Sequence, residues 1–236
     1  ALERLTVTEG IALTDLRATL QGSAGEFTGR VNGGAVVQGV LAPQNGSTAV
    51  QIRGADAGGV LQSTGLFRDA RGGQISLTLR PSGQAGVYGG ALRINDLRIR
   101  NAPALASLLQ ALSVVGILEQ LDGEGLAFST VESDFTLRPN DIVISRASAV
   151  GPSMSITADG LYNLRSKSMD LQGVISPIYL VNGLFGALFA RRDEGLFGFT
   201  YTIQGLASNP QVSVNPLSIL TPGIFREIFR RPPPDG

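Results

Sequence analysis

Asn101 to Leu121 reads NAPALASLLQALSVVGILEQL, a long stretch that no strand pattern fits. The chain on either side alternates apolar and polar residues as β-sheet does. Asn101 offers a side-chain acceptor to the free amides of a first helical turn. Pro103 stands where no donor is needed and a fixed φ helps, so a helix is expected to start here. Leu105, Leu108, Leu109 and Leu112 share one face. After Ser113 the apolar set passes to Val114, Ile117, Leu118 and Leu121, which a straight helix, at about 100° per residue, would place roughly opposite the first. The spacing therefore predicts two helices, one to about Ser113 and a short second one ending before Asp122 and Gly123. The break is expected near Gly116, since glycine leaves a helix readily.

The same design occurs earlier. Asp56 is placed to cap a helix running through Leu61 and Thr64, Gly65 to end it, and Leu66-Phe67 to lead to Gly72-Gly73 and a strand from Gln74 to Arg80. Gly65 and Gly116, Gly72 and Gly123, and Leu61 and Leu112 are each 51 residues apart. Each unit runs strand, capped helix, glycine break, glycine-rich turn, alternating strand, which suggests units that bury their apolar faces against copies of themselves. A looser third copy is expected from Tyr179 through Leu184, Phe185, Leu188 and Phe189 to Gly195, and then into a strand from Leu196.

Outward from these segments the chain is a meander. Leu5 and Val7, Ile11 to Leu20, Phe27 and Val31, Val36 to Leu41, and Val50 with Ile52 are separated by Glu9-Gly10, Asn32-Gly33-Gly34 and Asn45-Gly46. Asn45-Gly46-Ser47 matches a glycosylation sequon, but a tight hairpin explains it better. Ile75, Leu77 and Leu79 alternate with Gln74, Ser76, Thr78 and Arg80, giving one dry and one wet face. Val87 to Arg100 is expected to form a pair of strands whose phase slips at Asn95-Asp96, by a turn or a bulge. Leu126 to Leu137, Asp141 to Ala149, Met154 to Leu161 and Met169 to Ile175 continue the pattern. Phe197, Phe199, Tyr201 and Ile203 mark the strongest strand, and Asn209-Pro210 turns it into Val212 and Val214.

With 236 residues, 43% of them hydrophobic, the chain suits a single domain over 1–236. Its parts are leading antiparallel strands (1–55), helix-plus-strand units (56–214), and a C-terminal amphipathic helix with a proline-rich tail (215–236). Charged residues make up 16%, against roughly 25% in typical domains, and the 31 glycines well exceed the usual share of about 7%. Both fit a sheet with many turns and a large apolar face. The fold class expected is mainly β with a few short helices: a curved, groove-like antiparallel sheet whose apolar face the helices partly cover.

Lys+Arg and Asp+Glu balance at 19 each, so no net field attracts nucleic acid, and sparse aromatics offer no base-stacking platform. No apolar run reaches the roughly 18 residues of a spanning helix, and the first residues lack the basic and apolar regions of a signal peptide. Ala1-Leu2-Glu3-Arg4-Leu5 starts directly on a strand pattern, so any anchor is expected upstream of it.

In the last segment Ile224, Phe225, Ile228 and Phe229 occupy one arc of a short helix from Pro222, and Arg226, Glu227, Arg230 and Arg231 occupy the other. That helix either plugs an end of the sheet or lies shallowly in a membrane with Arg226, Arg230 and Arg231 on anionic headgroups.

Chemistry is scarce. The chain has no His and no Cys, which removes the commonest general base and metal ligand together with thiolate chemistry. No serine sits in a nucleophile elbow, and no glycine cluster has phosphate-loop spacing. Asp122 with Glu124, and Asp193 with Glu194, are acids at turns beside helix ends, where solvation or capping is the ordinary role. No catalytic residue, metal site or cofactor is expected.

Three sets of residues resemble a known family. They are Asp56-Ala57-Gly58 through Gly65-Leu66-Phe67 to Gly72-Gly73; Asn101-Ala102-Pro103 through Leu108-Leu109, Leu112-Ser113 and Gly116-Ile117-Leu118 to Gly123-Glu124-Gly125-Leu126; and Asn209-Pro210, Val212, Val214-Asn215-Pro216-Leu217-Ser218 with Pro222-Gly223. Together they resemble the AsmA-like C-terminal domain of large AsmA/TamB-type bacterial envelope proteins, over most of residues 50 to 231. The resemblance implies a protein anchored in the inner membrane by an upstream segment and crossing the periplasm as a long sheet folded into an apolar groove. Such a protein passes phospholipid to the outer membrane and has no catalytic residues.

The expected groove lining is Ile75, Leu77, Leu79, Phe135, Leu137, Ile156, Phe197, Phe199, Tyr201 and Ile203. For each of them core packing under the helices is the competing expectation. The function expected is a non-enzymatic lipid-handling module, the distal part of a conduit whose partners are phospholipid acyl chains. The alternative is a structural or assembly module of the envelope that docks an outer-membrane partner by strand addition.

Overall fold

The structure is a computed structural model, and it describes residues 2–8, 10–44, 46–177 and 198–215. Strands β1 (Leu2–Thr8), β2 (Ile11–Gln21), β3 (Ala24–Val31), β4 (Val36–Gln44) and β5 (Ser47–Gly54) come first. Then follow α1 (Ala57–Thr64), β6 (Ala70–Arg71), β7 (Gln74–Pro81), β8 (Tyr88–Ile99), α2 (Pro103–Ala111) and α3 (Val115–Asp122). The chain continues with β9 (Leu126–Leu137), β10 (Asp141–Val150), β11 (Met154–Asn163), β12 (Ser168–Pro177), β13 (Phe199–Leu206) and β14 (Asn209–Asn215).

All the strands belong to one antiparallel sheet ordered as the sequence runs, from β1 to β14, with the short β6 set aside on β8. Neighbours in the sheet are neighbours in the chain, so no pairing requires a long loop to close. Gly22 (φ 65) and Gly46 (φ 73) turn β2 into β3 and β4 into β5 in the left-handed backbone that glycine adopts without penalty.

Because the strands alternate in direction, the β5–β7 and β8–β9 connections leave the sheet at the same end. That is the helix end, which holds α1, α2 and α3. The β7–β8, β9–β10, β11–β12 and β13–β14 turns lie at the opposite, turn end.

Helix α1 starts and stops where its sequence says. The Gly59 amide donates to Asp56 Oδ1 at 2.9 Å, and Gly65 (φ 73) closes the helix with its amide on the carbonyls of Leu61 and Gln62. The amides of Ala57 and Gly58 donate to the carbonyls of Gly73 and Gly72, each at 2.8 Å. A Cβ on Gly58 would stand 2.4 Å from the Arg71 backbone. Asp56-Ala57-Gly58 and Gly72-Gly73 thus form one lock between helix and sheet.

The central helices depart from expectation in two places. Asn101 (φ 46) does not cap α2: the cap position is Ala102, without a side-chain bond, and Pro103 opens the helix. The left-handed turn at Asn101 carries its amide to Asp69 Oδ2, at 3.2 Å. The break between the helices falls at Ser113 (φ 55), and Gly116 lies inside α3. Turning at Ser113 lets both apolar sets face inward, so that Leu108, Leu109, Val114, Ile117 and Leu121 are all buried. The 51-residue spacing therefore describes two helical connections at one end of the sheet and no equivalence of positions: Gly65 ends a helix while Gly116 sits within one.

The stretch from Val87 to Arg100 is one strand, β8, where a pair was expected. Asp96 (φ 57) absorbs the phase slip while Asn95 and Leu97 stay paired with Thr130 and Phe128. The core is a single contiguous cluster joining Leu13 and Phe27 to Leu61, Leu108, Leu109, Ile117 and Leu121, and onward to Ile175, Tyr201 and Ile203. Helix α2 contacts β14, α1 contacts β3, β6 and β8, and α3 contacts β9. The helix expected from Tyr179, the strand start at Phe197, and the terminal helix with Ile224, Phe225, Arg226, Ile228, Phe229, Arg230 and Arg231 lie outside the described residues.

Candidate functional site: the apolar face of the sheet

Directly opposed residues in an antiparallel pair project on the same face, as do residues two apart along a strand. One row of partners runs Ile75, Ile94, Val131, Ala149, Ile156, Ile175, Phe199 across β7 to β13. A second, nearer the turn end, runs Tyr88, Leu137, Ile142, Tyr162, Met169. Period two links the rows within β8, β9, β11 and β12, and in β10 the bulge after Ile144 takes up the odd step from Ile142 to Ala149. All the described lining candidates, Ile75, Leu77, Leu79, Phe135, Leu137, Ile156, Phe199, Tyr201 and Ile203, therefore share one face.

Their environments differ. Ile75, Leu79, Tyr201 and Ile203 are buried, between 4% and 8% exposed. Ile156 and Phe199 are half-buried and packed on the contiguous core. Leu77, Phe135 and Leu137 are half-buried and lie outside that core. So do Tyr88, Ile142, Ile144 and Tyr162, which were not singled out from the sequence although they continue the row. Burial raises the pKa of Tyr162 above its usual 10.0. The candidates thus divide into a sealed set and a half-open set; Leu137 and Phe135 are half-open near the turn end, but Leu79 is buried there, and Ile156 and Phe199 in the helix-end row are half-buried.

Three aromatic rings on this face lie over glycines of the neighbouring strand. Phe27 pairs with Gly39, Phe135 with Gly90 and Tyr201 with Gly173. A Cβ on those glycines would meet the Phe27 ring at 2.2 Å, the Phe135 ring at 2.3 Å and the Tyr201 hydroxyl at 2.8 Å. The absence of a side chain lets each ring lie flat, which covers the exposed glycine backbone and fixes register. Tyr201 completes its pairing by donating its hydroxyl to the Thr157 carbonyl at 2.7 Å, and burial raises its pKa strongly.

The opposite face is polar. Ser76, Thr78, Arg93, Glu132, Asp134, Arg146 and Ser148 line a cavity of about 460 Å³ there, and none of the apolar candidates borders it. The cross-strand ion pairs Arg93–Glu132 and Arg146–Asp134, the latter at 2.7 Å, stand among these residues. Both pairs are exposed, so each contributes at most about 1 kcal/mol.

Among the described residues no three of Asp, Glu, His or Cys come together as a metal site, and no helix is long and apolar enough to cross a membrane. Asp122 and Glu124 are exposed at the end of α3, and Asp193 and Glu194 lie outside the described residues. No protein-family model, no curated protein and no solved structure matches the chain.

Proposed function

We propose that this chain is a non-enzymatic lipid-handling module, in which the sheet curves around α1, α2 and α3 and offers the rest of its apolar face to phospholipid acyl chains. It would form the distal part of a periplasm-spanning conduit between inner and outer membrane, as its likeness to the AsmA-like domain implies, and it needs neither cofactor nor reaction. The observation that carries this reading is the half-open row Tyr88, Leu137, Ile142, Tyr162 and Met169, continuous with a buried core on the same face. Water-exposed apolar surface of this kind gains about 0.8 kcal/mol per methylene covered, so an acyl chain lying along it is held without a specific polar site. Headgroups stay at the turn-end rim, where Arg138, Arg165 and Lys167 sit.

Native mass spectrometry after mild purification tests the proposal. Phospholipid mass on the folded chain, lost in Leu137→Asp with its circular dichroism unchanged, is the expected result. A chain that stays bare after incubation with phospholipid vesicles contradicts it. A bare chain would favour a second reading, an assembly module, supported by the open path of the sheet. β1 ends that path with β2 as its one strand partner among the described residues, which leaves a backbone edge for strand addition.

A further inference from the structure

The β1–β2 turn and the β9–β10 turn are far apart in the strand order, yet Thr8 Oγ1 donates to the Pro139 carbonyl at 3.1 Å. Pro139 lies between Leu137 and Ile142, two members of the half-open row, and a Cβ on Gly86 in the β7–β8 turn would stand 3.4 Å from its ring. Thr8 therefore lands where the strip meets solvent.

Both halves of this contact are tied to a neighbouring segment, and both carry a bulge. On the β1–β2 side Asn32 acts as a clamp. Its Oδ1 accepts from the Ala12 amide, and its Nδ2 donates to the carbonyls of Gly10 and Ser63, each at 2.8 Å. That side is tied through Ser63 to α1. The β1–β2 ladder shifts register between Thr6 and Thr8. On the other side the Leu164 amide donates to the Asn140 carbonyl at 2.8 Å, while the β9–β10 ladder is interrupted by a register shift between Ile144 and Arg146, and the β10–β11 ladder by one between Ile144 and Ala147. Such bulges are where a strand pair bends. Leu5, on the edge strand β1, pairs with the buried Leu13 and so faces the apolar side, but it is 44% exposed.

We infer that these turns form a clasp, with Thr8 on one jaw and Pro139 on the other, and that it gates acyl-chain access to the half-open strip. The inference rests on the acyl-chain reading for its purpose, and on geometry alone for its existence. A single exposed hydrogen bond biases a two-state element by about fivefold, which suits a gate that opens often.

The chain has no native Cys or Trp, so the clasp can be tested with reporters of each. Thr8→Cys with Pro139→Cys, bridged by oxidation or by a short bis-maleimide, locks the jaws. In that background a Leu137→Trp reporter should become roughly tenfold less accessible to acrylamide on locking, without lipid present. Cysteines that label singly yet never bridge, or a tryptophan equally quenched before and after bridging, overturn the clasp.

Separately, the cysteine pair without tryptophan is mixed with phosphatidylethanolamine–phosphatidylglycerol vesicles carrying a fluorescent phospholipid. The unlocked protein should take up the probe, the locked one roughly tenfold more slowly, with recovery on reducing the disulfide. Thr8→Val should exchange about fivefold faster than the native chain. Uptake unaffected by locking overturns the gate. No uptake even when unlocked overturns the acyl-chain reading, and with it the gating role, while the quenching result still decides whether the clasp exists.

Discussion

At the helix end, Ile94, Leu108, Leu109, Ile117 and Leu121 are at most 1% exposed. At the turn end Leu137, Ile142, Tyr162 and Met169, carried on β9 to β12 with the same alternation, are only half-buried. The strands do not differ in kind between the two ends. What differs is the cover: among the described residues the helices are inserted in the β5–β7 and β8–β9 connections, which leave the sheet at one end. Inserts at one end therefore seal the face beneath them most deeply and leave most of the turn end short of partners, although Leu79 is buried there too. The lesson is that alternation assigns a residue to a face, whereas connection length decides whether that face is dry.

Substitutions should separate the two ends by size of effect. The largest loss is expected at the sealed end, where Leu108→Ala opens a cavity between helix and sheet and costs about 2–5 kcal/mol, measurable as a fall in the urea midpoint at unchanged slope. A loss below about 1 kcal/mol there would mean that the helices are loosely docked. Gly173→Ala follows, at roughly 1–3 kcal/mol, because its new Cβ would meet the Thr157 carbonyl at 1.8 Å and the backbone must shift. Comparable stability to the native chain would contradict the close strand approach.

Tyr201→Phe removes the bond to Thr157 and should cost about 1 kcal/mol at neutral pH. Its pH dependence carries a sign. The folded-state pKa is raised above 10.0, so the stability from keeping the phenol neutral is fully present below pH 10 and falls as pH climbs toward the folded value. The native chain should therefore lose more stability above pH 10 than Tyr201→Phe, and parallel alkaline curves would argue against a buried hydroxyl. A stability loss of only about 1 kcal/mol is expected for Leu137→Asp at the half-open end, although it should abolish phospholipid association.

Much of the sheet was legible because period two survives in a meander: the strands from Gln74, Leu126, Asp141 and Met154 begin where the alternation does. Asp56 and Gly65 were legible because a cap and a left-handed stop are local chemistry. Ser113 was not, because a non-glycine residue took the left-handed turn that Gly116 advertised. The need to turn Val114 and Ile117 inward decided that, and this is a tertiary demand. Nor could the sequence pair Phe135 with Gly90 or Tyr201 with Gly173, since register belongs to two strands at once. The division of the candidates into sealed and half-open sets was hidden for the same reason: Leu79 and Leu77 look alike in the pattern, and only the first is buried.

Photo-crosslinking from single sites in the presence of phospholipid vesicles tests the central claim most directly. With a benzophenone side chain in place of Leu137 or Phe135, the folded chain should yield phospholipid adducts, and the same probe in place of exposed Val115 on α3 should yield none. Adducts absent from both strip positions, or as abundant at Val115 as at Leu137, would contradict a half-open apolar face that holds acyl chains.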